Sequence, residues 1–126
     1  MSVGDDNAFA FAQCHLSRIQ ITNNVILAGE AVEIEGCRGP GAVYLVENNR
    51  ITQTSTQSNM AQLTQTPGEV RRGGHPAAIK PLDSEAALVI IRNNVVDMRQ
   101  ATRTAVCLLT GNSNEQSLTL IEGNTC

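Results

Sequence analysis

The chain is poor in aromatic residues: Phe9, Phe11 and Tyr44 are the only ones among 126 residues, and there is no Trp. That scarcity excludes a globule centred on large rings, so the core must be assembled from Val, Ile, Leu and Ala. A repetitive stack of thin layers suits such residues. Also missing are the stacking platforms of a single-strand nucleic-acid binder and the rings on which binders of neutral sugars stack. Charge of one sign is lacking too. The 9 basic and 12 acidic residues, net −3, are mixed along the chain and form poor ground for counterion release, so nucleic acid is not an expected partner. No apolar run approaches the length of a membrane span. The segment Met1-Ser2-Val3-Gly4-Asp5-Asp6-Asn7 has neither the basic region nor the apolar stretch of a signal peptide. Four cysteines are too few for a disulfide-dense scaffold. The length fits one domain, 1–126.

What is present is repetition. The stretch Arg18-Ile19-Gln20-Ile21-Thr22-Asn23-Asn24-Val25-Ile26 recurs as Ala42–Ile51 and as Leu88–Val96, with a worn copy at Leu118–Cys126. Each unit is an alternating strand, an Asn at a tight corner and a second short strand. The corner residues Asn24, Asn49, Asn94 and Asn124 are 25, 45 and 30 residues apart, periods that signal a stack of repeats. A further strand precedes each corner unit: Phe9–Cys14, Val32–Cys37, Ala78–Leu82 and Val106–Gly111. Alternation points Ile19 and Ile21, Tyr44 and Val46, Val89 and Ile91, and Thr119 and Ile121 to one face. An Asn tolerates the left-handed backbone region and can bond to its equivalent in the next repeat. The pairs could instead mark unrelated hairpins of an antiparallel sandwich. Two-residue hairpin turns prefer Asn-Gly, however, and no long returning strand follows.

These residues resemble the right-handed parallel β-helix of the pectate-lyase-like superfamily, with three short strands per coil. The resemblance covers nearly the whole chain. It implies an all-β solenoid of about four coils, stacked about 4.8 Å apart, with one long loop insertion over about 53–77. Connections such as Ala28-Gly29-Glu30-Ala31, Arg38-Gly39-Pro40-Gly41 and Asp83-Ser84-Glu85-Ala86 are read as turns. The superfamily holds lyases, hydrolases, epimerases, tailspikes and adhesins, so fold alone assigns no activity.

By the same resemblance, long loops on the corner before the first strand kind build a substrate groove. The expected groove residues are Glu33, Glu35 and Lys80 on the outer strand face, joined by Arg71, Arg72 and His75 from the insertion. Such a set could bind an acidic polysaccharide through its carboxylates, hold Ca²⁺ weakly through Glu33 and Glu35, and use a basic group for proton abstraction. The bland alternative is a solvated strand face, where cross-strand charge pairs contribute roughly 0.2–1 kcal/mol. The neighbouring coils present Ala10, Ala12, Leu108 and Thr110 rather than further acids, and Gly73-Gly74-His75-Pro76 departs from the Gly-His-Gly of the family's hydrolases. No catalytic pattern of those enzymes is complete.

Cys14 and Cys37 fall at equivalent places, close enough for a disulfide or for two stacked thiols. His15, beside a turn, reads as a solvated polar residue, and no metal-ligand spacing surrounds it. The run Thr52-Gln53-Thr54-Ser55-Thr56 resembles one rung of an ice-binding array but is not repeated. Stacked repeats have ends that need covering, and Leu45, Ile90 and Leu108 read as outward apolar residues. Self-association, or continuation into further coils, is therefore expected. The reading of function is a non-catalytic scaffold or interaction module, in an extracellular or surface-associated setting or a phage-derived protein. A carbohydrate-active enzyme is the alternative.

Overall fold

The computed structural model is all-β, with parallel sheets and, among the described residues, no helix. It describes residues 7–54, 77–82, 85–101, 105–109 and 118–126. One four-stranded sheet contains β1 (Asn7–Ala12), β4 (Glu30–Glu35), β7 (Ala77–Leu82) and β10 (Val106–Leu108) in that order. A second contains β2 (Arg18–Thr22), β5 (Arg38–Glu47), β8 (Glu85–Arg92) and β11 (Leu118–Glu122). The third holds β3 (Val25–Ala28), β6 (Arg50–Gln53) and β9 (Val95–Asp97), extended by a single bridge from Val95 to Thr125. Among the described residues every pairing is parallel. The chain visits first, second and third sheet, then begins again, so each strand pairs with its counterpart one pass away. One apolar cluster is shared by all three sheets.

Alternation decides which side chains enter that cluster. In β2, Ile19 and Ile21 are buried while Arg18 and Gln20 are exposed. The register then sets like residues in file: Ile21, Val46, Ile91 and Ile121 in one column, Ile19, Tyr44, Val89 and Thr119 in the next. Burial is nearly complete in the first three passes and fails in the fourth. Ile121 is 45% exposed, because among the described residues no strand lies beyond β11. Tyr44 is the largest buried side chain. Its hydroxyl donates to the Leu16 carbonyl at 3.1 Å, and burial pushes its phenol pKa up.

The Asn pairs divide their labour. The first of each pair takes the left-handed backbone, with φ of 59° at Asn23, 56° at Asn48 and 56° at Asn93; Gly123, φ 66°, stands in the last pass. The second builds a ladder. Asn24 donates its backbone N–H and its Nδ2 to Asn49 Oδ1, both at 3.0 Å. Asn49 does the same to Asn94 Oδ1, at 3.0 and 2.9 Å, and Asn94 to Asn124 Oδ1, at 3.0 and 2.9 Å. The remaining Nδ2 hydrogens of Asn49, Asn94 and Asn124 reach the carbonyls of Ile21, Val46 and Ile91, each one pass back. A single Asn was expected to serve both the corner and the stack; two adjacent residues share the tasks.

Three expectations are corrected. Arg38-Gly39-Pro40-Gly41 is not a turn but the start of β5, paired through Arg38 and Gly39 to Glu85 and Ala86. An irregularity between Gly39 and Val43 absorbs Pro40, which cannot donate to a ladder, and Gly41, φ 74°. Glu85 and Ala86 likewise belong to β8, and Glu30 and Ala31 to β4. Leu108 does not face outward. It pairs with Ile79, in the column of Phe9 and Val32, and packs against the core. A three-residue strand carries too little alternation to fix its own phase.

All four cysteines are paired. Cys14 joins Cys37 across the first two passes, with Cα atoms 4.4 Å apart, and Cys107 joins Cys126, Cα atoms 6.1 Å apart. The second bond links β10 to the residue after the Thr125 bridge, tying the last pass to itself.

Candidate functional site

The expected groove lies over the outer face of the first sheet. Glu33 and Lys80 are register partners on β4 and β7, and Glu35 lies two residues along on the same side. The Lys80 ammonium sits 3.3 Å from Glu33 Oε1 and 3.1 Å from Glu30 Oε2. By sequence Glu30 belongs to a connection, yet its side chain is only 5% exposed and that of Lys80 only 12%. The cluster is thus an ion-paired corner rather than a row of solvated charges. Glu33 follows from alternation along β4, whereas Glu30 shares the parity of Val32 and Ile34 and carries no such signal. Two carboxylates, Glu30 and Glu33, hold the one ammonium, and Glu35 is exposed on the same face as Glu33. Arg71, Arg72 and His75, and with them most of the insertion over 53–77, lie outside the described residues. Among the described residues, no group of three or more His, Cys, Asp or Glu side chains is placed to hold a metal ion, and no helix is long and apolar enough to cross a membrane. His15 is exposed.

The second sheet presents a different surface. Its outward columns run Arg18, Val43, Leu88, Leu118 and Gln20, Leu45, Ile90, Leu120. After the first pass every member is aliphatic. Among these aliphatic residues exposure is greatest in the last pass, 65% at Leu118 and 42% at Leu120. The Arg18 guanidinium donates to Gln20 Oε1 at 3.0 Å at one end of this strip. Along one side Arg92 Nε binds Glu47 Oε1 at 2.7 Å. An apolar strip framed by charged residues is the usual form of a contact surface. The sequence signal was partly seen in Leu45 and Ile90; Val43, Leu88, Leu118 and Leu120 follow from the same parity.

On the third sheet Val25 and Leu27 are strongly exposed, but their partners in the next pass are Arg50 and Thr52. The apolar surface there is one strand wide. At its far edge Arg99 forks onto Asp97, with Nη2 to Oδ2 at 2.6 Å and Nε to Oδ1 at 2.9 Å. These bonds pull the Asp97 carboxyl down to about 2.

Comparison with protein-family models, with curated proteins and with solved structures finds no match to the chain.

Proposed function

We propose that the three sheets wind as a right-handed parallel β-helix and that the chain is a non-catalytic scaffold whose second-sheet face binds another subunit. The winding is supported by the fixed rotation through the sheets and by hydrogen bonds that always reach one pass away. The observation that carries the functional reading is the aliphatic strip of Val43, Leu45, Leu88, Ile90, Leu118 and Leu120. Exposed aliphatic side chains leave roughly 1.5–3 kcal/mol each of burial unrealised when fully solvated, and a contiguous strip of them favours a covering partner. A second copy, meeting strip to strip about a twofold axis, covers both faces at once. Two disulfides fit an oxidising compartment, in keeping with a surface or phage-derived setting.

The enzymatic reading, action on an acidic polysaccharide beside Glu33, Glu35 and Lys80, is less well supported. Lys80 is held by two carboxylates, which occupies the ammonium that a uronate would need. Light scattering separates the readings. The wild-type chain should associate through this strip, Leu118→Asp with Leu120→Asp should weaken that association, and uronate polymers incubated with or without Ca²⁺ should yield no unsaturated product. Product that disappears in an Arg71→Ala variant would replace the scaffold with the enzyme. A wild-type chain that remains single at high concentration would remove the strip as a contact surface.

A further inference from the structure

The ladder has a direction, and its two ends are complementary. Each Asn accepts, on Oδ1, the backbone N–H and Nδ2 of the Asn one pass earlier, and sends its other Nδ2 hydrogen to a carbonyl three residues before that earlier Asn. Asn24 has no earlier pass among the described residues. Its spare Nδ2 hydrogen turns back to its own strand, to the Thr22 carbonyl at 3.1 Å, and its Oδ1 accepts from no described donor. At the other end the backbone N–H of Asn124 reaches no described acceptor. One end of the ladder offers an acceptor and the other offers donors.

We infer that a second copy of this chain stacks head to tail on the first, its Asn24 accepting from Asn124. This rests on the winding proposed above but uses a different surface from the second-sheet strip. Continuing the register by one pass sets the second copy's Arg18–Thr22 against Leu118–Glu122, five residues on five. Its Ile21 then lies on Ile121, closing the column whose last member is 45% exposed. The same step lays its Phe9 on Leu108, both half-buried members of one column. Its Asn24 Nδ2 can exchange the Thr22 carbonyl for that of Ile121, as Asn49 uses Ile21. The edges of β1, β2 and β3 meet those of β10, β11 and the Thr125 bridge in the parallel sense, since all three sheets run the same way. Open strand edges pair readily. A joint between unlike ends does not close on itself, so copies joined in this way form a linear series, to which pairing through the strip is additional.

Sedimentation velocity and light scattering of the oxidised wild-type chain across a concentration series give the test. The mean mass should climb steadily with concentration. Ile121→Lys should weaken that growth by about tenfold or more, and added in trace to wild type it should shorten the series, because each blocked copy still presents Asn24. Circular dichroism and both disulfide-linked peptides establish that the variant is folded; Ile121→Ser repeats the test with no charge to bury. A wild-type mass that stops at two, unchanged by Ile121→Lys and halved by Leu118→Asp with Leu120→Asp, overturns the end joint and leaves the strip reading intact. A single chain at every concentration overturns both.

Discussion

Asn49 gives its backbone N–H and one side-chain hydrogen to the same atom, Oδ1 of Asn94, and both residues are almost completely buried. Truncation at 94 strands two donors that water cannot reach, each costing roughly 1–3 kcal/mol. Asn94→Ala should therefore lower stability by about 2–5 kcal/mol in urea unfolding. Asn124→Ala, at the half-buried end of the ladder, should cost less. Equal losses at the two positions would show that the ladder is decorative.

Lys80 anchors Glu30, whose carboxylate is nearly withdrawn from water. Lys80→Met removes a charged hydrogen-bond partner from that carboxylate, a loss of about 1.5–3 kcal/mol. Adding Glu30→Leu should restore most of the loss, a coupling that a double-mutant cycle measures directly. Two independent, small effects would mean that the pair behaves as surface charge.

Cys14–Cys37 and Cys107–Cys126 close loops of 23 and 19 residues. Chain-entropy reasoning gives each roughly 3 kcal/mol. Reduction should lower the melting temperature markedly, and peptide mapping of the oxidised chain should recover those two linkages. Recovery of any other pairing would contradict the described register.

Asp97 titrates near 2, against an ordinary 3.8, because Arg99 binds its ionised form. A depressed carboxylate adds stability that is present above pH 3.8 and is lost as pH falls from there toward 2. Carboxyl NMR should show the low value, and Arg99→Ala should raise it only part of the way, since the backbone N–H of residue 99 still donates to Asp97 Oδ1. The carboxyl is solvent-facing, so the pH dependence of unfolding should change only slightly.

Much of this is legible in the sequence. The spacing of Asn24, Asn49, Asn94 and Asn124 is the spacing of the hydrogen-bonded ladder, since parallel stacking forces equivalent residues into contact. Parity along β2, β5 and β8 correctly placed six core residues, because each strand has five or more residues over which the alternation can be read. Glu33 and Lys80 emerged as neighbours for the same reason. Leu108 was misplaced because β10 spans three residues. The Cys107–Cys126 bond escaped notice because its members occupy unlike positions in the repeat, whereas Cys14 and Cys37 occupy like ones. Burial of Glu30 was hidden by the Gly beside it, which reads as a turn although β4 starts immediately after it.

The passage from third sheet to first is made three times with very different lengths of chain. Gly29 alone suffices between β3 and β4, while residues 54–76 intervene between β6 and β7 and residues 98–105 between β9 and β10. Pairing on either side is indifferent to that length: Glu33 still meets Lys80, and Asn49 still meets Asn94, across the longest of the three. Loop closure becomes only slowly more costly with length. The corner is thus a socket for foreign sequence. A recognition peptide or small domain could be spliced in place of residues 55–76, and the number of such sockets would grow with every pass added to the frame.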